Sequence, residues 1–242
     1  MKNSEKIEIS SDKMKILAVI PGRKGSKGII NKNIRKINGK PLISYSIEAA
    51  LNSKYINKIV VSTDSDEILE IANNYNVQSI KRPDYLAQDD STTVDVIKQT
   101  LDSLKEVNNY FPEILILLQP TSPLRSSDDI DKATKMFLED DNADSLISVS
   151  EFNHNPLWSF KIENNFLSPA FDKDFLNKRR QDLPQLYLPN GAIYIIKTEK
   201  LLEKNSFYLE KTKAFLMSEE KSLDIDTELD LKLVKCLMKD NK

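Results

Sequence analysis

Apolar and polar residues alternate in two rhythms over the first 150 positions. Residues 15–20 (KILAVI) read as a buried strand that runs straight into Pro21. Helical spacing follows at Leu42, Ile43, Ile47, Ala50 and Leu51, with Pro41 suited to the first turn. Residues 58–62 (KIVVS) predict a second strand. It ends at Thr63-Asp64-Ser65-Asp66, where an Asp or Ser can cap a helix around 67–74. A short third strand is expected at 77–80. Val94, Ile97, Leu101 and Leu104 form a helical stripe, and 114–118 is a continuous apolar run of the kind found in parallel strands covered on both faces. Ile130, Ala133, Phe137 and Leu138 mark another helix, and 145–149 another strand.

This alternation predicts an α/β fold, a mostly parallel sheet with helices on both faces and ligands at the carboxyl ends of its strands. Residues 151–189 break the rhythm. They hold the only Trp, the only His, five of the nine Phe and four prolines, without a clear helical or strand stripe. That stretch reads as a small excursion, a dimerisation or substrate flap within the same domain. The core resumes at 190–196, continues through a strand near 214–217 and closes with a helix marked by Leu229, Leu233, Val234, Leu237 and Met238. The expected organisation is a flexible leader over 1–13, a core over 14–150 and 190–242, and the flap over 151–189.

Composition narrows the function classes. The 242 residues are 40% hydrophobic and 30% charged, a globular profile, and the net charge of −2 argues against a nucleic-acid partner. The longest aliphatic runs, 16–20 and 114–118, are five residues each, too short to span a bilayer, and the polar leader shows no secretory signal. The expectation is a cytoplasmic protein with no membrane partner. A single cysteine, Cys236, and a single histidine, His154, rule out an internal disulfide and a His-rich zinc site.

Of only five glycines, Gly22, Gly25 and Gly28 fall within seven residues, in the stretch PGRKGSKGIINKN at 21–33. Glycines let backbone amides approach a phosphate chain, and Arg23, Lys24, Lys27 and Lys32 would neutralise its charge. The loop matches neither the Walker spacing nor G-x-G-x-x-G.

With its context, this loop resembles the nucleotide-binding signature of the acylneuraminate cytidylyltransferases, the CMP-sialic acid synthetases. RPDYLAQD at 82–89, LLQPTSPLR at 117–125, RQDLPQLYLPNGAIYI at 180–195 and DIDTELDL at 224–231 agree in order and spacing, so the similarity runs from about residue 14 to 238. The resemblance implies a Rossmann-like nucleotidyltransferase that moves CMP from CTP to the anomeric hydroxyl of a nonulosonic, sialic-acid-like 2-keto sugar acid and releases pyrophosphate. Alternatives are the same chemistry on legionaminic, pseudaminic or 3-deoxy-octulosonic acid, or an inert nucleotide-binding module. It further implies that Arg23, Ser26 and Lys27 contact phosphates and that Lys32 and Asn33 complete the nucleotide pocket, Arg23, Lys32 and Asp226 being the catalytic residues. Arg82 would line the cytosine pocket, Gln119 would contact the sugar acid, and Arg180 with Gln181 would face its carboxylate, a fitting target for a guanidinium fork.

Asp224 and Asp226, two apart on an extended segment, would face one side and suit Mg²⁺, which binds through one or two carboxylates plus substrate phosphates. Asp226 or Thr227 could equally cap the terminal helix, with Asp230 in its first turn. Arg125 is either a carboxylate ligand or an ion-pair partner that fixes its loop. A haloacid-dehalogenase-like D-x-D-x-[TV] frame fails because Glu228 stands at its last position. The sequence departs from the resembled family at Gly22, Ile30 and Trp158, the last where some relatives carry a lysine, for which Lys161 could substitute. A homodimer formed through the flap is expected, and Phe207 and Tyr208 match positions that in relatives reach a neighbouring subunit.

Overall fold

The computed structural model describes residues 14–25, 28–87 and 91–240; the leader therefore lies outside the described residues, as do Ser26 and Lys27. In chain order the elements are β1 (Ile16–Pro21), β2 (Lys36–Ile37), β3 (Lys40–Pro41), α1 (Leu42–Leu51), β4 (Lys58–Thr63), α2 (Asp66–Asn74) and β5 (Gln78–Lys81). There follow α3 (Thr93–Asn108), β6 (Ile114–Leu117), α4 (Ser127–Leu138), β7 (Ser145–Glu151), β8 (Phe160–Glu163) and β9 (Phe166–Pro169). The chain closes through β10 (Tyr187–Lys197), α5 (Thr198–Lys204), β11 (Thr212–Leu216) and α6 (Glu228–Asp240).

Seven strands form one sheet in the order β11-β7-β10-β6-β1-β4-β5. All neighbours are parallel except β10, which runs antiparallel between β6 and β7. Side-chain parity divides the core into two layers. Ala18, Ile20, Ile116 and Ile195 pack with Ile43 and Ile47 of α1, Ile68 of α2 and Ile130 and Phe137 of α4. Leu17, Val19, Leu115, Leu117 and Ile196 face the other way, onto Ile97, Leu101 and Leu104 of α3 and Leu201 of α5. The expected mostly parallel sheet with helices on both faces is thus present. Among the described residues no helix is long and apolar enough to cross a membrane.

Side-chain caps start three helices: Ser65 accepts from Ile68 N–H, Thr92 from Asp95 N–H, and Ser126 forms a reciprocal box with Asp129. Pro41 sits just before α1, at its N-cap, rather than inside the first turn. With few glycines, the chain hands its left-handed positions to asparagine, whose short amide tolerates them. Among the described residues every non-glycine with positive φ is an Asn: Asn31, Asn38, Asn76, Asn109, Asn164, Asn165 and Asn205. Two of these form the tight turn between β8 and β9.

The flap is more regular than its sequence suggests. It holds the β8–β9 hairpin and three short 3-10 turns, and β10 already begins at Tyr187, three residues before the expected return to the core at 190. Trp158 pins it internally, donating from Nε1 to Phe175 O at 3.0 Å. Lys161 lies exposed on β8 and His154 is exposed in a loop.

The two-layer core has a direct consequence. Ile195→Val and Ile97→Val each trim a fully buried side chain on opposite faces of the sheet, so each should cost about 0.5–1.5 kcal/mol. The double variant should lose their sum to within about 0.5 kcal/mol by urea denaturation. A coupling well above that would mean that the layers are not independent.

Candidate active site

Strand order reverses at β1. β4 and β5 extend the sheet on one side of it and β6 lies on the other, so the loops following β1 and β6 diverge and leave a crevice at their carboxyl ends. A cavity of about 310 Å³ occupies that crevice, and Arg23, Lys32, Asn33, Arg82 and Gln119 all line it, with Thr121, Leu86 and Val96. Five positions singled out from the sequence, spread over nearly 100 residues of chain, therefore share one wall.

The phosphate-type loop is fastened from three sides. Gly22 N–H donates to Ser62 O at 2.9 Å, and an alanine methyl there would come 2.7 Å from Ile43 Cδ1, a side-chain tip that would have to turn aside. Asn33 is buried and donates from Nδ2 to Arg23 O at 2.9 Å, closing the loop on itself. At Gly28 the fit is closest: a Cβ would lie 2.1 Å from Asp226 O. Ile29 is buried with Ile225, Leu231 and Val234 in a third apolar cluster, whereas Ile30 points outward and is 81% exposed, so the absence of proline there removes no packing.

The acidic segment arrives from the far end of the chain. Ile225 N–H donates to Thr121 O at 2.9 Å, and Lys32 Nζ donates to Ile225 O at 2.7 Å and to Asp226 Oδ1 at 2.8 Å. Thr227, not Asp226, caps α6. Its hydroxyl accepts from Asp230 N–H at 3.3 Å, while Asp230 Oδ2 takes the amides of Thr227 and Asp226 at 2.7 and 3.1 Å. Asp226 thereby keeps its carboxylate for Lys32 and for whatever enters the crevice.

Asp224 is the more buried of the pair. Burial pushes its carboxyl above the usual range; the nearby Thr121 hydroxyl opposes this, the charge of Asp226 adds to it, and Lys32 pulls it back. Asp224 Oδ1 and the hydroxyls of Thr121 and Ser122 are buried atoms that complete no hydrogen bond among the described residues. Gly191, at φ +76° in the irregularity of the β10–β7 pairing, lets these groups converge. A methyl there would lie 3.4 Å from Gln119 Oε1 and 3.9 Å from Asp224 Oδ2.

Two buried arginines have separate duties. Arg82 donates from Nε to Ser62 Oγ at 3.0 Å and from Nη2 to Ser62 O at 2.8 Å, held by the end of β4 while facing the cavity. Burial lowers it to about 10, against the pull of Asp64. Arg125, lowered by burial to about 9, donates from Nη1 to Gln119 O at 3.1 Å and Ala192 O at 2.7 Å, and from Nη2 to Ser46 Oγ at 2.6 Å. It fixes its loop, but through carbonyls instead of an ion pair, and it is no carboxylate ligand.

Arg180 and Gln181 are exposed in a short turn of the flap and do not line the cavity of their own chain. Phe207 is buried edge-on to Tyr194, with ring centroids 5.4 Å apart, so it belongs to its own core; Tyr208 is 62% exposed. Sequence reasoning missed Thr121, Ser122 and Gly191. Their signal was present in LLQPTSPLR and LPNGAIYI, where the polar residues directly follow or interrupt strands. Among the described residues no group of three or more His, Cys, Asp or Glu side chains assembles that could hold a metal by itself.

A crevice with this cationic loop, a buried arginine and a carboxylate pair defines a nucleotidyltransferase. The chain matches the cytidylyltransferase family over residues 17–241 and belongs to it. It is 42% identical over 225 residues to the CMP-N,N'-diacetyllegionaminic acid synthase of Campylobacter jejuni, covering 92% of this chain and 94% of that one. It is 35% identical over 219 residues to the N-acylneuraminate cytidylyltransferase of Escherichia coli, covering 90% of this chain and about half, 51%, of that longer protein. The fold is shared with a CMP:2-keto-3-deoxy-manno-octonic acid synthetase solved with CTP, at a TM-score of 0.70, 18% identity, and coverage of 94% of this chain and 100% of that one.

The Gly28 contact gives a sharp expectation. Gly28→Ala forces a methyl against the Asp226 carbonyl, which as backbone cannot rotate away. The loop must part from the acidic segment, so CTP affinity measured by titration calorimetry should fall at least tenfold while the sheet stays folded.

Proposed function

We propose that this chain transfers CMP from CTP to the anomeric hydroxyl of a nonulosonic, sialic-acid-like sugar acid. The observation that carries the reading is the convergence of Arg23, Lys32, Asn33, Arg82 and Gln119 on one cavity beside Asp224 and Asp226. Oxygen of the anomeric hydroxyl attacks the α-phosphorus and gives up its proton to solvent; the new O–P bond forms as the bond to the α–β bridging oxygen breaks, and pyrophosphate leaves. Arg23 and Lys32 line the cavity that would take the triphosphate, where their charge would offset the negative charge that develops as pyrophosphate departs. On this reading Arg82 would serve the nucleoside and Gln119 the sugar acid, while Arg125 holds the Gln119 carbonyl in position. The relatives named for legionaminic and N-acylneuraminic acids support a nine-carbon acceptor.

Asp224 and Asp226 would hold Mg²⁺. The fit rests on the buried, unpartnered Asp224 Oδ1 and on an all-oxygen donor set that leaves room for phosphates, as Mg²⁺ prefers. Bound there, the ion would neutralise charge on the phosphate oxygens.

With the cavity's cations assigned to the phosphates and the base, the acceptor carboxylate would be met by Arg180 on the flap, contributed in a homodimer. The flap's hairpin exposes apolar surface: Ile162 and Phe166 are 75% and 78% exposed, and Phe160 and Leu167 share a face with Ile162. Light scattering at micromolar concentration should report a dimer, and Ile162→Glu should shift it to monomer. A monomeric wild type would contradict this arrangement.

Pyrophosphate release measured with each nucleoside triphosphate against a panel of 2-keto sugar acids tests the function. CTP with a nonulosonic acid should be turned over and the purine nucleotides should not; release with a purine nucleotide alone would overturn the reading. Asp226→Asn should lower turnover by about 10²-fold or more, the scale of lost transition-state electrostatics. Its melting temperature should change little, because Thr227 is the cap and the Lys32–Asp226 pair is largely exposed on the acid's side.

A further inference from the structure

Lys32 faces two ways. Its side chain is only 12% exposed and lines the cavity, yet its ammonium is seated on Asp226 Oδ1 at 2.8 Å and on Ile225 O at 2.7 Å. The cation placed among the phosphate-facing groups is therefore bonded to a carboxylate of the pair that suits a divalent ion. A divalent ion held by Asp224 and Asp226 would share the Asp226 carboxylate with that ammonium, and two cations on one carboxylate repel in a partly desolvated site. Asp224 supplies an independent observation. Its buried Oδ1 has no partner among the described residues, so the pair has an open ligand position that Lys32 does not fill.

We propose that Lys32 is a displaceable counter-ion. Lys32 and the divalent cation compete for Asp226, and entry of the metal turns the Lys32 ammonium from the carboxylate to the triphosphate. This rests on the nucleotide-and-metal reading above. The exchange is physically easy because an ion pair whose acid is 72% exposed is weak, and because the lysine stem has enough rotatable bonds to move its charge a few ångströms without backbone change. It makes metal occupancy and phosphate binding mutually supporting: the metal frees the lysine that holds the nucleotide, and the nucleotide draws the lysine away from the metal's ligand. Lys32 is then a positioning residue for the metal as well as a contact for the phosphates.

Mn²⁺ binding in the absence of nucleotide, followed by electron paramagnetic resonance, tests the exchange on wild type, Lys32→Met, Asp226→Asn and the double variant. Lys32→Met should bind Mn²⁺ about two- to fivefold more tightly than wild type, the reach of a weak competing ion pair. The gain should vanish in the Asp226→Asn background, and the Lys32→Met protein loaded with Mn²⁺ should bind CTP more weakly than wild type. Lys32→Gln, which keeps a donor without the charge, should show the same gain if the methionine variant folds poorly. Unchanged or weaker Mn²⁺ affinity on removal of the charge, with Mn²⁺ still bound by wild type, overturns the exchange and leaves the nucleotide reading intact. An equal gain without Asp226 overturns it as well. Failure of wild type and both Lys32 variants to bind Mn²⁺ without nucleotide overturns the exchange, and failure with CTP present as well overturns the metal reading with it.

Discussion

The contact between Gly28 and the Asp226 carbonyl is the constraint on which the site depends. Where a Cβ would fall 2.1 Å from a backbone oxygen, only glycine can stand, and the approach brings residues almost 200 positions apart into one unit. Lys32 reinforces it with two hydrogen bonds to the same segment, and Ile29 and Ile225 give it a small apolar core of its own with Leu231 and Val234. Polar groups that must face a charged ligand cannot hold one another in place by burial alone. Here the burial is supplied just behind them, so the loop and the acidic segment are positioned as one body.

The sheet sets where that body can sit. Reversal of strand order at β1 opens the crevice, and the antiparallel β10 brings a second chain direction to it, with Gly191 at the point where pairing with β7 becomes irregular. Arg125 then ties the loop after β6 to β10 and α1 through Gln119 O, Ala192 O and Ser46 Oγ. A buried guanidinium that satisfies three acceptors is costly to remove, since it would leave carbonyls unpaired in the interior. The site residues thus sit on loops, but the loops are braced by charge-assisted hydrogen bonds to the scaffold.

Much of this was legible along the chain. Periodicity placed the strands and most helices because buried parallel strands and amphipathic helices leave opposite signatures, and the glycine cluster marked the loop. The flap hairpin was hidden because β8 and β9 have no buried face to impose alternation; their apolar residues point outward. The cap of α6 was ambiguous between Asp226 and Thr227, since both residue types cap, and only the reciprocal bonding of Thr227 with Asp230 decides it. That Arg125 fixes its loop was one of two readings; that it does so without an ion pair was out of reach, because two of its three partners are backbone carbonyls, which leave no trace in residue identity. The Lys32–Asp226 pair was equally hidden, a contact across the whole chain between two residues whose separate chemistry was plain.

Hydrogen exchange read by mass spectrometry on Ile225→Ala tests most directly whether loop and acidic segment are one unit. This change empties the small shared core without touching a charged or cavity-lining group. Peptides covering 22–33 and 222–231 should both exchange faster than in wild type, to a similar extent, while peptides from β1, β4 and β6 keep their protection. Faster exchange at 222–231 alone, with 22–33 unchanged, would contradict the account.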